Sequence, residues 1–206
     1  MDIFAHALWA GAGVVLARRR WPRIAPRTVV LTMTLAALPD LFHPLPLIGW
    51  WLFGDGSLAA LRAYATALPT NEPVLPPWVA LWSQHLHCVA HSAVVAAVAT
   101  ALLWAVMRSV WIPLLGWWSH IVIDVFTHSA DFYPSPVLYP FTQRGFDGLA
   151  WNTPWFMLAN YTALVAVGLW LLLSAPRPAK ADRPLRGSRK VAEPHFLERR
   201  NGRHHR

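Results

Sequence analysis

The sequence of 206 residues contains a single cysteine, Cys88, and only 14% charged residues. One cysteine excludes an internal disulfide framework. The scarcity of charge, together with an apolar fraction of 55%, is unusual for a soluble domain of this length and favours a membrane protein. The formal net charge of +8 does not indicate nucleic-acid binding, because the basic residues cluster in 18–27 and beyond 177.

Lysine and arginine are absent from residues 28–61, 63–107 and 109–143. These intervals contain Asp40 and Asp124, which therefore have no basic partner in their own apolar segments. A carboxylate at membrane depth costs about 2.5–3.5 kcal/mol and normally needs a partner. Histidines together with a divalent cation would provide one, since imidazole and carboxylate are common ligands of Zn²⁺.

Apolar segments long enough to cross a bilayer recur along the chain. We predict an all-α polytopic membrane bundle with about five transmembrane helices. The second should kink or break at Pro39 and Pro44, because proline removes a backbone donor. A short interfacial helix is expected at Ser57–Leu68. The predicted spans are, in order, residues 1–20, 28–53, 82–107, 110–131 and 155–174.

The N-terminus is predicted to lie outside and the C-terminus in the cytoplasm. The arginines of the first segment follow its apolar core, which is the reverse of the order in a cleaved secretory signal. Of the 18 Lys and Arg residues, this orientation leaves only Arg62 and Arg144 outside, as the positive-inside rule requires. We predict a membrane-embedded domain, residues 1–174, and a basic disordered cytoplasmic tail, residues 175–206, that favours anionic lipid.

The predicted fourth span carries His120, Asp124 and His128 at a spacing of four. Residues four apart share one face of a helix, so these side chains should form a polar stripe on an apolar helix. The alternative is a buried helix whose few polar groups are hydrogen-bonded inside the protein. Three ionisable groups in register disfavour this alternative. His87 and His91 repeat the spacing that lets two imidazoles bind one ion.

In this topology the ionisable side chains of the spans lie in the outer leaflet. One-sided placement favours a site at the outer face over a metal or proton transporter, which usually carries such residues at the midplane between repeated halves. A non-catalytic protein whose metal ties helices together is a further alternative. The residues concerned are His6, Asp40, His43, His85, His87, His91, His120, Asp124 and His128.

Four ordered motifs, MDIFAHALWAG, AALPDLFH, HCVAHS and GWWSHIVIDVFTH followed by LYPF, span most of residues 1–174. This region resembles the bacterial family of predicted membrane-bound metal-dependent hydrolases of the LexA-regulated inner-membrane type. That family is distantly similar to zinc-dependent phospholipase C and the S1/P1 nucleases. The resemblance implies a multi-pass inner-membrane hydrolase whose site faces the periplasm and whose substrate is a phosphoester, either a lipid or lipid-linked.

The resemblance also implies a metal site with one or two divalent ions, Zn²⁺ being the expected metal. The later H-x-x-x-E pair of the phospholipase and nuclease groups is missing here, which disfavours three ions. Asp124 could bridge two ions, and Asp40 is the expected general base. His87 is either a ligand or a neighbour of ligands, and His128 is a ligand or a rim residue. The predicted ligands are His6, Asp40, His87, His91, His120, Asp124 and His128.

Three further residues leave alternatives open. Arg144 either stays solvated in the outer loop or binds substrate phosphate in bidentate fashion. His43 either caps a helix end or joins the site. Cys88 could ligate zinc, but a small apolar packing residue is the favoured interpretation. No nucleic-acid partner is expected, and membrane lipids are the expected surroundings.

Overall fold

The computed structural model describes residues 1–175, and Met1–Ser174 form one compact unit. All regular elements in this part of the chain are helices, which confirms the predicted all-α class. The predicted tail lies outside the described residues apart from Ala175. The helices are α1 (Ile3–Arg20), α2 (Pro26–Phe42), α3 (Leu45–Phe53), α4 (Leu58–Thr66), α5 (Pro77–Ala90), α6 (Ala93–Met107), α7 (Leu114–Thr127) and α8 (Pro154–Leu173).

Helix α1 begins at a capped end and lies at the centre of the packing. The Asp2 carboxylate accepts a hydrogen bond from the Ala5 backbone N–H at 3.1 Å, which satisfies one of the free donors of the first turn. The helix ends in three arginines, residues 18–20, whose positive charge suits a helix C-terminus. Between these ends α1 packs against α2, α7 and α8, and α2 in turn packs against α7.

Two pairs of consecutive helices are each bent by 62° at a short break, and both breaks lie beside the site described below. The first falls between Phe42 and Leu45, so the predicted break at Pro44 is confirmed. Pro39, in contrast, lies inside α2 and does not end it. The second break separates α5 from α6 at His91 and Ser92, within the stretch predicted as one continuous span.

Helix α8 is, among the described residues, the one helix that is by itself long and apolar enough to cross a membrane. Counting each bent pair as one span brings the number to three. Leu164 is the one buried residue of α8, whereas Leu158, Leu172 and Leu173 are 72%, 75% and 85% exposed. Neither α1 nor α7 adds a span on these criteria, and the five-span arrangement stays a prediction.

The connection from α7 to α8, residues 128–153, is held against the end of α7 by backbone hydrogen bonds. The N–H groups of Gly148, Leu149 and Trp151 donate to the carbonyls of His128, Phe126 and Thr127, at 2.8–2.9 Å. Farther along the connection, Val137 O accepts the N–H of Ala93 at 2.9 Å. The connection therefore joins the end of α7 to the start of α6.

Candidate metal centre

Four side chains from three parts of the bundle converge at one point. Each offers one ligand atom, and the four atoms lie within 4.8 Å of one another. Asp40 stands near the end of α2, His91 directly follows α5, and His120 and Asp124 belong to α7. Three of these side chains are almost fully buried, whereas Asp40 keeps 17% of its side chain exposed. We call Asp40, His91, His120 and Asp124 the four-residue cluster. The side on which the partly exposed Asp40 lies is called its open side.

Hydrogen bonds assign the tautomers of the two histidines. His91 Nδ1 lies 2.9 Å from the carbonyl oxygen of His87, and His120 Nδ1 lies 2.8 Å from that of Ala36. A carbonyl oxygen only accepts, so each Nδ1 carries the hydrogen and each neutral imidazole presents a lone pair at Nε2. The two Nε2 atoms lie 3.0 Å apart. In the neutral state, two acceptors therefore face each other.

Carboxylate oxygens surround this contact with further acceptors. Asp124 Oδ2 lies 3.1 Å from His120 Nε2 and 3.4 Å from His91 Nε2. Asp40 Oδ1 lies 3.7 Å and 3.4 Å from the same two nitrogens. The Oδ2 atoms of both aspartates are buried and have no hydrogen-bond partner in the protein. Converging lone pairs without donors indicate a place for positive charge.

The donor set fits a divalent cation. Four ligands at about 2.0–2.2 Å from a tetrahedral Zn²⁺ stand about 3.3–3.6 Å apart. The five distances given above range from 3.0 to 3.7 Å, which is close to that spacing. Two imidazoles with two carboxylates suit zinc, but the same set also binds other divalent transition metals. The backbone carbonyls that hold both Nδ1–H groups are the partners that orient metal-bound histidines in proteins. The cluster could therefore hold a metal ion, and its geometry does not select which one.

The other oxygen of Asp124 has a different set of neighbours. His6 Nε2 lies 2.8 Å from Asp124 Oδ1, and Thr127 Oγ1 lies 3.3 Å from it. The nitrogen of Met1 also contacts Oδ1 and lies 3.2 Å from both Thr127 Oγ1 and His128 Nε2. Asp124 thus faces the four-residue cluster with one oxygen and His6 with the other. The Met1 contact was not predicted from the sequence, because Met1 lies 123 residues from Asp124 in the chain.

His128 does not continue the polar stripe of α7. The helix ends at Thr127, and His128 has extended backbone angles, φ −117° and ψ 144°. Its Nδ1 donates to the carbonyl of Tyr133 at 2.7 Å, and its Nε2 lies 3.5 Å from Asp124 Oδ1. The predicted register on one helix is therefore correct for His120 and Asp124. His128 reaches the same carboxylate from beyond the helix end.

A close approach of α7 to α2 makes the geometry possible. A Cβ at Gly116 would lie 2.1 Å from the carbonyl oxygen of Thr32, so a larger residue does not fit without separating the helices. One turn later, His120 Nδ1 reaches the carbonyl of Ala36. Gly116 and Ala36 were not predicted from the sequence to contribute to the site. Their spacing could have indicated them, since each precedes a predicted ligand by four positions.

His87 and His43 lie beside the four-residue cluster without belonging to it. The His87 ring lies against the ring of His91, with centroids 4.1 Å apart. Because α5 ends at Ala90, His91 is not on the helix, and the two imidazoles do not present one helical face to one ion as predicted. The His43 ring lies 5.9 Å from that of His87, and its Nδ1 is buried without a partner.

Arg144, Cys88 and His85 lie outside the four-residue cluster. Arg144 is exposed in the connection from α7 to α8, and the structure does not bring its guanidinium into contact with the cluster. Cys88 is buried and accepts a hydrogen bond from Gln84 Nε2 at 3.3 Å, which agrees with a packing residue. His85 Nδ1 lies 2.9 Å from the Tyr139 hydroxyl, away from the ligand atoms.

Two tyrosines outside the helices of the cluster stand near one acidic residue. The Tyr133 hydroxyl donates to Glu72 Oε1 at 2.8 Å. Burial, together with that hydrogen bond and the Glu72 charge, raises the pKa of Tyr133. Burial and the same carboxylate also raise the pKa of Tyr64, whose ring lies 5.9 Å from His43. Both hydroxyls therefore remain protonated hydrogen-bond donors at neutral pH.

Comparison of the chain with protein-family models, curated proteins and solved structures gives no match.

Proposed function

We propose that this protein is a membrane-bound metal-dependent hydrolase that cleaves a phosphoester, as in the family its motifs resemble. The observation that carries the proposal is the four-residue cluster, in which two imidazole lone pairs and two carboxylates converge within 4.8 Å. Structural zinc sites are closed by protein ligands, whereas catalytic sites keep one position open. Asp40 is 17% exposed, against at most 1% for the other members, so a water molecule could take its position while His91, His120 and Asp124 hold the ion, which supports the catalytic alternative.

The chemistry follows from the positions of the side chains. A divalent ion held by the cluster would supply a water molecule with a pKa of about 7 and would stabilise charge on a phosphoryl oxygen. Asp40, on the open side, would act as the general base, since its Oδ2 has no protein partner. His91 and His120 hold their Nε2 atoms inward through their bonds to carbonyls. His6 and His128, beside the second oxygen of Asp124, are the residues that would hold a second ion.

Membrane embedding in a five-span arrangement, with the site at the outer face, is part of the proposal. It is supported by the length and composition of α8, by the two bent pairs, and by the many large apolar side chains on the surface. A substrate with acyl chains would reach the site from the same apolar surroundings. Arg144 and the basic tail would then serve as contacts for phosphate and for anionic lipid, respectively.

The test combines metal content with activity. Full-length protein is purified in detergent, its bound divalent metals are measured, and hydrolysis of lipid and water-soluble phosphoesters is assayed. Asp124→Asn should lose metal and activity together, whereas Asp40→Asn should lose most activity and retain at least part of the metal. Asp131→Asn, at an exposed position of the outer connection, is the matched control and should behave as wild type.

Each alternative outcome has a clear meaning. Wild-type protein without metal after purification and after incubation with Zn²⁺ would overturn the metal site. Bound metal without hydrolysis of any phosphoester would reject the hydrolase and favour a metal that ties α2, α5 and α7 together.

A further inference from the structure

A row of polar rings leads away from the four-residue cluster and takes no part in it. The His87 ring lies against the ligand His91, with centroids 4.1 Å apart. His43 follows at 5.9 Å from His87, and Tyr64 follows at 5.9 Å from His43. We call His87, His43 and Tyr64 the ring row. It joins three separate elements, α5, the break after α2, and α4.

The ring row is rich in hydrogen-bonding atoms that lack partners. His43 Nδ1 is buried without a hydrogen bond. None of the side-chain hydrogen bonds within the described residues involves the His87 ring or the Tyr64 hydroxyl, while the nearby Glu72 carboxylate is already bonded to Tyr133. Buried polar atoms in native proteins are almost always paired, so the unpaired Nδ1 of His43 calls for an explanation. The half-buried His87 and Tyr64 beside it leave their polar atoms free to bind a ligand.

The position of the row gives that explanation. His43 lies directly after the end of α2, three residues after Asp40, which is the partly exposed member of the four-residue cluster. The row therefore passes beside the side of the cluster from which a substrate would enter. The row consists of two imidazoles and one phenol, which can donate hydrogen bonds, and it contains no Lys or Arg. Donors beside a metal centre suit oxygens with negative charge, as in the anion sites that neutral groups form elsewhere.

We propose that His87, His43 and Tyr64 form a subsite that binds the phosphoryl oxygens of the substrate not held by the metal. The inference rests on the proposed function, because it names a recognition element of the same site. Imidazole N–H and phenol O–H groups donate to the phosphoryl oxygens, and the four-residue cluster binds the ion beside them. These three residues position the substrate and do not ligate the metal.

The experiment measures phosphate binding and metal content on the same samples. Full-length protein in detergent is loaded with Zn²⁺ and titrated calorimetrically with inorganic phosphate. Tyr64→Phe and His43→Leu each remove a donor from a charged acceptor, and each should weaken phosphate binding about tenfold or more. His87→Leu should do the same. Metal content should equal that of wild type in all three variants.

His85→Leu is the matched control. His85 lies on α5 only two residues before His87, but it pairs with Tyr139 and stands outside the ring row. This variant should bind phosphate and metal as wild type does. Tyr64→Phe removes one hydroxyl and preserves the ring, so it tests the proposal even if a histidine variant fails to fold.

A second titration identifies the source of the phosphoryl group. Short-chain phosphatidic acid and the corresponding diacylglycerol are added to the same micelles. Tighter binding of phosphatidic acid than of inorganic phosphate, with the same dependence on Tyr64, assigns the subsite to a lipid headgroup. Equal affinities assign it to free phosphate or to a soluble phosphoester.

Three results would overturn the subsite: no binding of either phosphate compound by metal-loaded wild type, unchanged affinity in Tyr64→Phe and His43→Leu, or loss of metal in His43→Leu and His87→Leu. Failure of the subsite and failure of the hydrolase are distinguishable. Phosphate binding that depends on Tyr64, without turnover, retains the subsite and rejects hydrolysis. Turnover that all three variants leave unchanged retains the hydrolase and rejects the subsite.

Discussion

His91 and His120 point their Nε2 atoms at each other across 3.0 Å, although both atoms are acceptors in the neutral tautomers. Each ring is held in this orientation by its Nδ1–H, which donates to a backbone carbonyl. The two nitrogen lone pairs repel each other unless a proton or a cation lies between them. The nearby oxygens of Asp40 and Asp124 make a divalent cation the better solution, because one ion satisfies all four groups.

The first prediction is that the metal stabilises the fold. Chelation should lower the melting temperature of the detergent-solubilised protein, because removal of the ion leaves the four-residue cluster uncompensated. At an ion concentration a hundredfold above its Kd the stabilisation is about 2.7 kcal/mol. Thermal unfolding followed by circular dichroism measures it, and Zn²⁺ added back should restore the original value. Asp124→Asn should not respond to chelator. An identical melting temperature for wild type with and without chelator would refute the prediction.

The second prediction concerns Gly116. Gly116→Ala places a methyl group against the Thr32 carbonyl, so α2 and α7 must separate and the bond from His120 to Ala36 must lengthen. We expect destabilisation of about 1–3 kcal/mol together with weaker metal binding. Gly13→Ala is the control, because no atom lies within 4 Å of a Cβ built there. Equal stability and metal affinity of the two variants would show that the close approach is not required.

The third prediction is a pH dependence of the Tyr133 contact. The pKa of Tyr133 in the folded state is raised above its ordinary value by burial and by Glu72. A raised pKa means that the contact stabilises the fold fully below about pH 10, the unfolded value, and that this contribution is lost as pH rises through the folded value.

Tyr133→Phe should therefore melt at a lower temperature than wild type at neutral pH, and the difference should disappear at strongly alkaline pH. Melting curves of both proteins across that range test this. Glu72→Gln should move the phenol titration of Tyr133, followed by ultraviolet absorbance, towards its ordinary range. A titration unaffected by Glu72→Gln would contradict the assignment.

The fourth prediction concerns the orientation in the membrane. In a Cys88→Ser background, Val74→Cys should react with an impermeant maleimide added from outside, because the α4–α5 connection is predicted there and Val74 is 98% exposed. Arg23→Cys should react only after the inner membrane is permeabilised. The wild-type protein should resist labelling, since Cys88 is 1% exposed. The opposite labelling pattern would reverse the proposed topology.

Some of the fold and the site could be predicted from local sequence alone. The spacing of His120 and Asp124 places them on one helix face by geometry, and Pro44 interrupts the second apolar run because it lacks an N–H. The break at His91 could not be predicted in this way. No proline marks it, and Ser92 both caps α6 and bonds the distant carbonyl of Tyr139.

The hydrogen-bond partners of the histidines could not be predicted from the local sequence either. Whether His120 meets a carbonyl or solvent depends on how closely α7 approaches α2, and that distance is a property of two packed helices. The same holds for the Met1 nitrogen beside Asp124, which is 123 residues away in the chain.

The sequence by itself therefore determined the helical class and the residue types suited to a metal, because hydrophobic periodicity and side-chain chemistry are local properties. It also determined the scarcity of basic partners for Asp40 and Asp124. Only the tertiary structure decided which candidates share one point and which tautomer each histidine adopts. It also decided that the rings of His43, His87 and Tyr64 stand in a row beside His91. Those outcomes depend on helix ends, bends and close packing between segments far apart in the chain.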